Sequence, residues 1–516
     1  MKCYSKTDWI LAAVATLIVF IIGACNLTTG VPDWGDDSAA YISEGISIAE
    51  GTFQQQIEMN YYYHPSNLPE EAVASGSLVY VWGYPLILSF VFRLVGFGFN
   101  SLIWYKIPLL LSLSLSAGVL VLFLRRRFSL IASFTASILF CMNWDLLTSL
   151  NKLYADLPFL LFSVLSFLLM ECFFERMKEG KQNSLLVIAY GITLWMAYET
   201  RLSGFTVCAA AFLGHAIAFV IQTKEKRQPL RPHLLPYLVF CALVLVSERI
   251  WLMPATPNLS DLNKGTFGLY FQYYCRLLYR YFASLLFGVS VGSLGYTLIL
   301  LFLLGVVKAG FQKKNLHLTI FLFGTLVVIL QLPYAQGLRY FYNVLPFVVM
   351  YVLYGLAQIV GWVQKLWLQL AATKMGSLIQ GITTKHGPHI QHRILILFAA
   401  CMIIASCVIP TKKALINIAH WGEKGKTDMF SAEAIEVYQY IQDNIPMESA
   451  IAFGKPRALY LATNHRCFRY DVNGHELSEA DYYLLYKIGW KYYTDPDMEM
   501  EILLDNSVFT LYRIID

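Results

Sequence analysis

Apolar residues run along this chain in blocks of roughly 20, the length a helix needs to cross the hydrocarbon of a bilayer, and each block ends in polar or basic punctuation. Such blocks lie near residues 9–26, 102–124, 128–147, 157–174, 183–199, 202–221, 234–252, 283–307, 317–333, 342–364 and 393–410. The pattern predicts about eleven transmembrane helices. The first block has no small-residue cleavage site before Asp33 and reads as an anchor. A further apolar stretch, residues 78–97, is long enough to span, but its Gly83, Pro85, Arg93 and Gly96 fit an interfacial or re-entrant helix on the outer side better.

Lysine and arginine set the orientation, because short loops rich in them stay on the cytoplasmic side. Lys2 and Lys6, Arg125 to Arg127, Arg176 to Lys181, Lys224 to Arg231, Lys308 to Lys314 and Lys365 to Arg393 all face inward if the N-terminus is cytoplasmic. Residues 1–410 then form a membrane domain with a long outer loop, 27–101, and residues 411–516 an extracytoplasmic domain where the apolar blocks stop. In that domain, residues 431–444 read as an amphipathic helix opened by Ser431, with Glu433 and Glu436 favourable to its dipole. The runs SAIAF, ALYLA and SVFTLYRI read as strands divided by turn residues. The expected fold class is an all-α polytopic membrane protein with a small α/β C-terminal domain.

Composition agrees: 57% hydrophobic and 14% charged residues leave too little polar surface to cover a soluble globule of 516 residues. The formal charge of +5 is small for this length and argues against nucleic acid as a partner. Most of the 10 cysteines sit inside apolar blocks; Cys275 and Cys467 fall in segments placed on the outer side of the membrane, which leaves a disulfide between these two open.

The chemistry concentrates in the first outer loop, in VPDWGDDSAAYISEGISIAEG. Asp36 and Asp37 follow the first membrane helix, and Tyr41 shares a helix face with Asp37. Two adjacent carboxylates at a bilayer surface fit a general base or a metal ligand; they equally fit N-caps of a helix over 38–50. Asp156 opens a later block ahead of Pro158 and has the same two readings. Arg201 and Arg339 stand at outer helix ends, where a buried cation calls for an anionic partner, either a phosphate or, for Arg201, the neighbouring Glu199. Arg339 is followed by Tyr340. His64 in YYYHPSN, and Lys264, Arg276 and Arg280 among the tyrosines of 254–282, are weaker substrate-contact candidates against the readings of a solvated loop histidine and an interfacial aromatic belt.

In order and placement, GDDSAAYISEGISIAEG after the first helix, WGYPLILSFVFRLVGFG, NKLYADLPFLLFSVLSF and QGLRYFYNVLPFVV resemble the polyprenyl-phosphate-sugar glycosyltransferases of the GT-C fold. The likeness is to the branch holding protein O-mannosyltransferases and lipid A aminoarabinose transferases. It implies transfer of a sugar from a polyprenyl-phosphate carrier in the membrane to a lipid, glycan or protein hydroxyl at the outer face, with inversion if base and leaving phosphate lie on opposite faces of the sugar. Aligned on Tyr41, the family's aspartate falls on Asp37; the family often has Asp-Glu where this chain has Asp36-Asp37-Ser38, so the register is open by one residue and Asp36 stands as the orienting or metal-binding partner. The resemblance implies phosphate contacts for Arg339, Tyr340 and Arg201, and acceptor or metal contact for Asp156. A divalent metal is left open. A bacterial inner membrane is expected, since no inserted lumenal domains interrupt the chain. A transporter or flippase of lipid-linked saccharide shares the composition; it usually places ionisable groups at mid-bilayer and shows related halves, neither of which is seen here. A structural or sensory membrane protein has no need of acids and arginines at one surface. An O-antigen ligase or polymerase lacks an acidic motif at this position.

Overall fold

The computed structural model describes residues 4–30, 36–63, 80–180, 183–225, 231–247, 267–284, 291–331, 337–371, 387–420, 429, 431–470, 476–488 and 498–515. Its N-terminal part is a helical bundle: α1 Lys6–Cys25, α2 Asp36–Glu50, α3 Phe53–Tyr63, α4 Gly83–Val95, α5 Leu102–Arg125, α6 Leu130–Cys141, α7 Trp144–Ser149, α8 Asp156–Lys178, α9 Ser184–Thr200, α10 Gly204–Glu225, α11 Arg231–Leu245, α12 Phe267–Ser284, α13 Gly292–Gly305, α14 Leu316–Gln331, α15 Leu345–Ala371 and α16 Gly387–Ala419. Among the described residues, six helical stretches are long and apolar enough to cross a bilayer: Lys6–Cys25, Leu102–Arg125, Asp156–Lys178, Gly292–Gly310, Leu345–Leu366 and Ala399–Ala419. Shorter apolar helices accompany them, and the protein is a multi-pass membrane protein.

Large apolar side chains stay exposed on the helices, among them Trp9, Leu17, Leu94, Leu300, Val307, Phe311 and Ile404, as suits a molecule whose solvent is lipid. Inside the bundle, Phe123, Phe167, Phe321 and Phe347 interlock with ring centroids 5.1–5.6 Å apart. Buried serines return their hydroxyls to the carbonyl one turn back, Ser112 to Pro108 and Ser116 to Ser112 at 2.7 Å each, which satisfies these hydroxyls within their own helix. Helices α13 and α15 cross at Gly305 and Gly355, where a Cβ would run into the Tyr351 and Leu301 carbonyls; glycine lets the two backbones touch.

Charged groups gather at the two ends of the bundle. At one end Arg127 pairs closely with Glu171, which also takes Arg126 Nε at 2.7 Å and His317 Nε2 at 3.2 Å, while Arg125 holds Asp8 at 2.7 Å. The opposite end carries α2, α4 and the acidic motif. Helix α4 packs along α2 and has 13 residues, about 20 Å at 1.5 Å per residue, too short for a crossing. Its Gly83 rests on the Glu199 backbone, where a Cβ would come within 2.6 Å.

The structure departs from the sequence pattern at several elements. The block at 128–147 divides into α6 and α7, and the block at 283–307 begins only at Gly292, because residues 267–284 form their own helix, α12. Tyr274, Tyr281 and Phe282 of α12 are buried while Phe271 and Arg280 are exposed, an amphipathic pattern that packs one face on the bundle. Helix α16 runs through Pro410 to Ala419.

The C-terminal part holds α17 Ala432–Asn444, β1 Ala450–Phe453, α18 Pro456–Thr463, β2 Arg466–Phe468, β3 Tyr482–Tyr486, β4 Met500–Asp505 and β5 Phe509–Ile514. Ser431 caps α17 by accepting from the Ala434 amide at 3.1 Å. The strands form one sheet in the order β2-β1-β3-β5-β4, with β1 parallel to β2 and β3, and β5 antiparallel to β3 and β4. ALYLA, expected as a strand, lies inside α18: Pro456 starts the helix and Asn464, at φ 62°, ends it in the left-handed region. Cys275 is exposed and Cys467 buried, both as free thiols, so the disulfide left open above is not made. Helix α18 packs on α2, and Tyr62 of α3 meets Phe468 of β2 edge-on at 5.8 Å, which joins the small domain to the end carrying the acidic motif.

Candidate active site

Asp37 lies in the first turn of α2, which begins at Asp36, two residues earlier than the sequence pattern predicts. Its carboxylate does not cap the helix. Oδ1 accepts the Tyr80 hydroxyl at 2.7 Å, and Oδ2 accepts Arg339 Nη1 and Nη2 at 3.5 and 3.4 Å. The helix is held from below by Ser38, whose hydroxyl donates to the Lys152 carbonyl at 2.5 Å.

Tyr41, one turn beyond Asp37, stacks on Tyr80 at 4.3 Å and 24°, and meets Tyr84 edge-on at 5.0 Å. Burial pushes the Tyr80 hydroxyl well above its ordinary pKa and the adjacent Asp37 charge pushes it further, so it stays a donor to the carboxylate at neutral pH. Tyr41 is raised in the same way, chiefly by burial. Glu44, two turns along α2 and fully buried, accepts from Asn60 Nδ2 at 3.3 Å and from the Tyr80 amide at 3.4 Å, which fixes the backbone that carries the tyrosine.

Facing this acid are two arginines. Arg339, in the short helix Leu338–Phe341, lies over the Tyr154 ring at 4.5 Å and 5.5 Å from the Tyr340 ring. Arg201, at the end of α9, lies over the other side of the arrangement, 4.2 Å from the Tyr340 ring, and is closely paired with Asp156. Tyr340 thus has both guanidiniums against it. Asp156 is the first residue of α8, after the N-cap Ala155; it pairs with Arg201, in place of the Arg201–Glu199 pair that the sequence left as an alternative. Glu199 instead accepts from Ser247 Oγ at 2.8 Å.

The two ion pairs differ. Arg201 and Asp156 are 16% and 4% exposed and tightly joined, whereas Arg339 and Asp37 are 25% and 36% exposed and bonded at the long limit. Of the two pairs, Arg339–Asp37 is the longer and the more exposed.

Of the residues singled out from sequence, Asp37, Tyr41, Asp156, Arg201, Arg339 and Tyr340 therefore meet at one end of the bundle. Arg276 and Arg280 are exposed on α12 and make no ion pair among the described residues. His64, Lys264 and the side chain of Asp36 lie outside the described residues. Tyr80 and Tyr154 were not singled out. Each is a tyrosine near the mouth of a loop, a weak signal by itself, although NKLYADLP places Tyr154 two residues before Asp156. Among the described residues no three His, Cys, Asp or Glu side chains gather as a metal-ligand set.

By sequence, no family model and no curated protein matches the chain. By structure it is similar to ArnT from Cupriavidus metallidurans bound to undecaprenyl phosphate, with a TM-score of 0.55 at 12% identity over 98% of each chain. The apo state of that protein gives 0.52 at 13%, over 99% of this chain and 98% of that one. The archaeal oligosaccharyltransferase AglB from Archaeoglobus fulgidus, in complex with an inhibitory peptide and a dolichol-phosphate, gives 0.53 at 10%, over 92% of this chain and 66% of the other. At these identities the likeness is one of fold, and this chain is a polytopic membrane protein with the GT-C fold.

Proposed function

We propose that the protein transfers a sugar from a polyprenyl-phosphate carrier to a hydroxyl-bearing lipid, glycan or protein at the outer face of the membrane, in a bacterial inner membrane with the N-terminus cytoplasmic. The observation that carries this reading is the meeting of one accessible carboxylate, Asp37, with two guanidiniums, Arg339 and Arg201, at the end of a bundle of GT-C fold.

The chemistry needs a base for the acceptor, cations for the leaving group and an apolar surface for the isoprenoid. Asp37 takes the proton from the acceptor hydroxyl as that oxygen forms a bond to the anomeric carbon. The bond from that carbon to the phosphate oxygen breaks, and its electron pair leaves with the phosphate, which gains a negative charge. Arg339 and Arg201 bind this phosphate, with Tyr340 between them as a shared face and donor. Cation stabilisation of charge that appears only as the bond breaks lowers the barrier rather than merely tightening binding. With base and phosphate on opposite faces of the sugar, one displacement inverts the anomeric centre. Asp36 orients Asp37 or joins a divalent metal, and Asp156 holds Arg201 until the donor arrives.

Structural neighbours with a bound undecaprenyl phosphate and a dolichol-phosphate support a polyprenyl-phosphate carrier as the donor class. The test is transfer of labelled sugar from polyprenyl-phosphate donors to a membrane and cell-wall extract by purified protein. Labelled, anomerically inverted product is expected; no turnover with any donor favours a transporter of lipid-linked saccharide, and retained configuration contradicts the single displacement.

A further inference from the structure

Lys106 is a cation for which the proposed reaction has no use. It sits in the second turn of α5, is fully buried, and gives its ammonium to four neutral oxygens: the Gly30 carbonyl at 2.5 Å, the Thr28 carbonyl at 2.6 Å, Asn151 Oδ1 at 3.0 Å and Thr28 Oγ1 at 3.1 Å. No carboxylate pairs with it among the described residues. An ammonium has three hydrogens, and these oxygens use all of them, so Lys106 has none left for a substrate. Burying a charge is costly unless it is fully hydrogen-bonded, which this cage achieves without a counter-ion.

What the cage joins gives it a role. Asn151 also accepts the Thr28 amide at 2.8 Å and donates Nδ2 to the Asn26 carbonyl at 2.9 Å. Residues 26–30, the exit from α1, are thus clasped to Asn151 and Lys106. The entry to α2 is tied to the next residue along, through the Ser38 hydroxyl on the Lys152 carbonyl. Both ends of the segment that delivers Asp37 are therefore fastened to residues 151–152. The same stretch continues through Leu153, fully buried at φ 50° in the left-handed region that a leucine enters only under constraint, to Tyr154 beneath Arg339 and Asp156 paired with Arg201.

We propose that Lys106 is a positioning residue: a tethered cation that, with Asn151, clasps the exit of α1 and so fixes Asp37 relative to the two arginines. The catalytic role of Asp37 in this statement rests on the function proposed above; the clasp does not. Asp37 lies on α2, whose entry is tied through Ser38 to Lys152 beside the clasped Asn151, whereas Arg339 and Arg201 come from other parts of the bundle. Loss of the clasp thus lowers kcat and leaves the donor KM nearly unchanged. A displacement of about 1 Å at a reacting group costs on the order of 10²-fold in rate.

The experiment compares full-length wild type, Lys106→Met and Lys106→Ala in lipid nanodiscs, with and without methylammonium or tetramethylammonium. Two readouts are followed: sugar transfer, and amide hydrogen exchange over Thr28 to Gly30. Lys106→Met and Lys106→Ala are expected to lose roughly 10²-fold in kcat and to exchange faster at these amides. Methylammonium, a free N–H cation that fills the vacated cage, restores both in Lys106→Ala; tetramethylammonium, with no N–H, restores neither. Wild-type kcat and exchange in folded Lys106→Met overturn the proposal, as does a Lys106→Ala that methylammonium leaves unchanged. Should Lys106→Ala aggregate, purification in methylammonium is expected to keep it monodisperse, and aggregation regardless of the amine overturns the proposal. The exchange readout needs no turnover, so it tests the clasp even if the wild type transfers no sugar and the functional reading fails by itself.

Discussion

Removing the Arg339 guanidinium is the perturbation that most sharply divides phosphate binding from mere ion pairing. In the resting protein Arg339 holds Asp37 only at 3.4–3.5 Å, with its charge spread against the Tyr154 and Tyr340 rings. A partly exposed pair at that distance contributes about 0–1 kcal/mol to stability. A guanidinium-to-phosphate hydrogen bond contributes about 1.5–3 kcal/mol, and the fork geometry of arginine makes two of them. Arg339→Gln is accordingly expected to lower kcat/KM for the polyprenyl-phosphate donor by about 10²- to 10⁴-fold, since two such bonds amount to about 3–6 kcal/mol and each 1.4 kcal/mol is about tenfold. Arg339→Lys keeps the charge but loses the fork, and falls between the two. The assay is initial-rate transfer with donor varied at saturating acceptor, normalised to monodisperse protein, with thermal unfolding in parallel. An Arg339→Gln enzyme within about threefold of wild type in kcat/KM would refute the phosphate role. A loss matched by an equal loss of folded protein would reduce Arg339 to a structural residue.

Tyr80→Phe removes the 2.7 Å hydroxyl bond to Asp37 while keeping the ring that stacks on Tyr41, and is expected to lower kcat about tenfold or more, at about 1.5–3 kcal/mol for a bond to a charged acceptor. Because burial raises the Tyr80 pKa above its ordinary 10.0, its contribution to stability is whole below pH 10.0 and is lost as pH rises through the raised value. Wild type should therefore lose thermal stability more steeply than Tyr80→Phe above pH 10.0, and identical alkaline slopes would contradict the burial of this hydroxyl. At the far end of the bundle, Glu171→Gln leaves Arg127 buried without its carboxylate and is expected to destabilise by about 3–5 kcal/mol while transfer per folded molecule is unchanged. A thermal midpoint equal to that of wild type would show this cluster to be dispensable.

The helical membrane class was legible because lipid demands long apolar runs, and those runs leave an unmistakable pattern at Lys6–Cys25, Leu102–Arg125 and Asp156–Lys178. The Ser431 cap and the strands at Ala450–Phe453 and Phe509–Ile514 were legible for local reasons, a capping residue and short apolar runs bounded by turns. ALYLA misled because five mostly apolar residues fit either period; Pro456 was the deciding signal. Helix α12 was readable in principle, since its buried Tyr274, Tyr281 and Phe282 recur at helical spacing, but its many tyrosines also fit an interfacial belt.

The site was half legible. Acids and arginines at helix ends stand out in an apolar chain, and Asp37, Asp156, Arg201 and Arg339 were found on that ground. Which acid meets which base is a tertiary matter: Arg201, in extended backbone just past the end of α9, pairs with Asp156, far away in sequence, whereas Glu199 two residues before it is still in the helix and meets Ser247. Tyr80 and Tyr154 have no local signature that sets them apart from other tyrosines; Lys106 stands out as a lysine inside the apolar block 102–124, but only the folded chain shows what all three touch.

The most direct measurement is transfer of labelled sugar from a polyprenyl-phosphate donor by wild type, Asp37→Asn and Asp36→Asn, each shown to be folded. Asp37→Asn is expected to lose transfer while still binding donor, with Asp36→Asn less affected. Full transfer by folded Asp37→Asn would contradict Asp37 as the base, and with it the proposed displacement at this site.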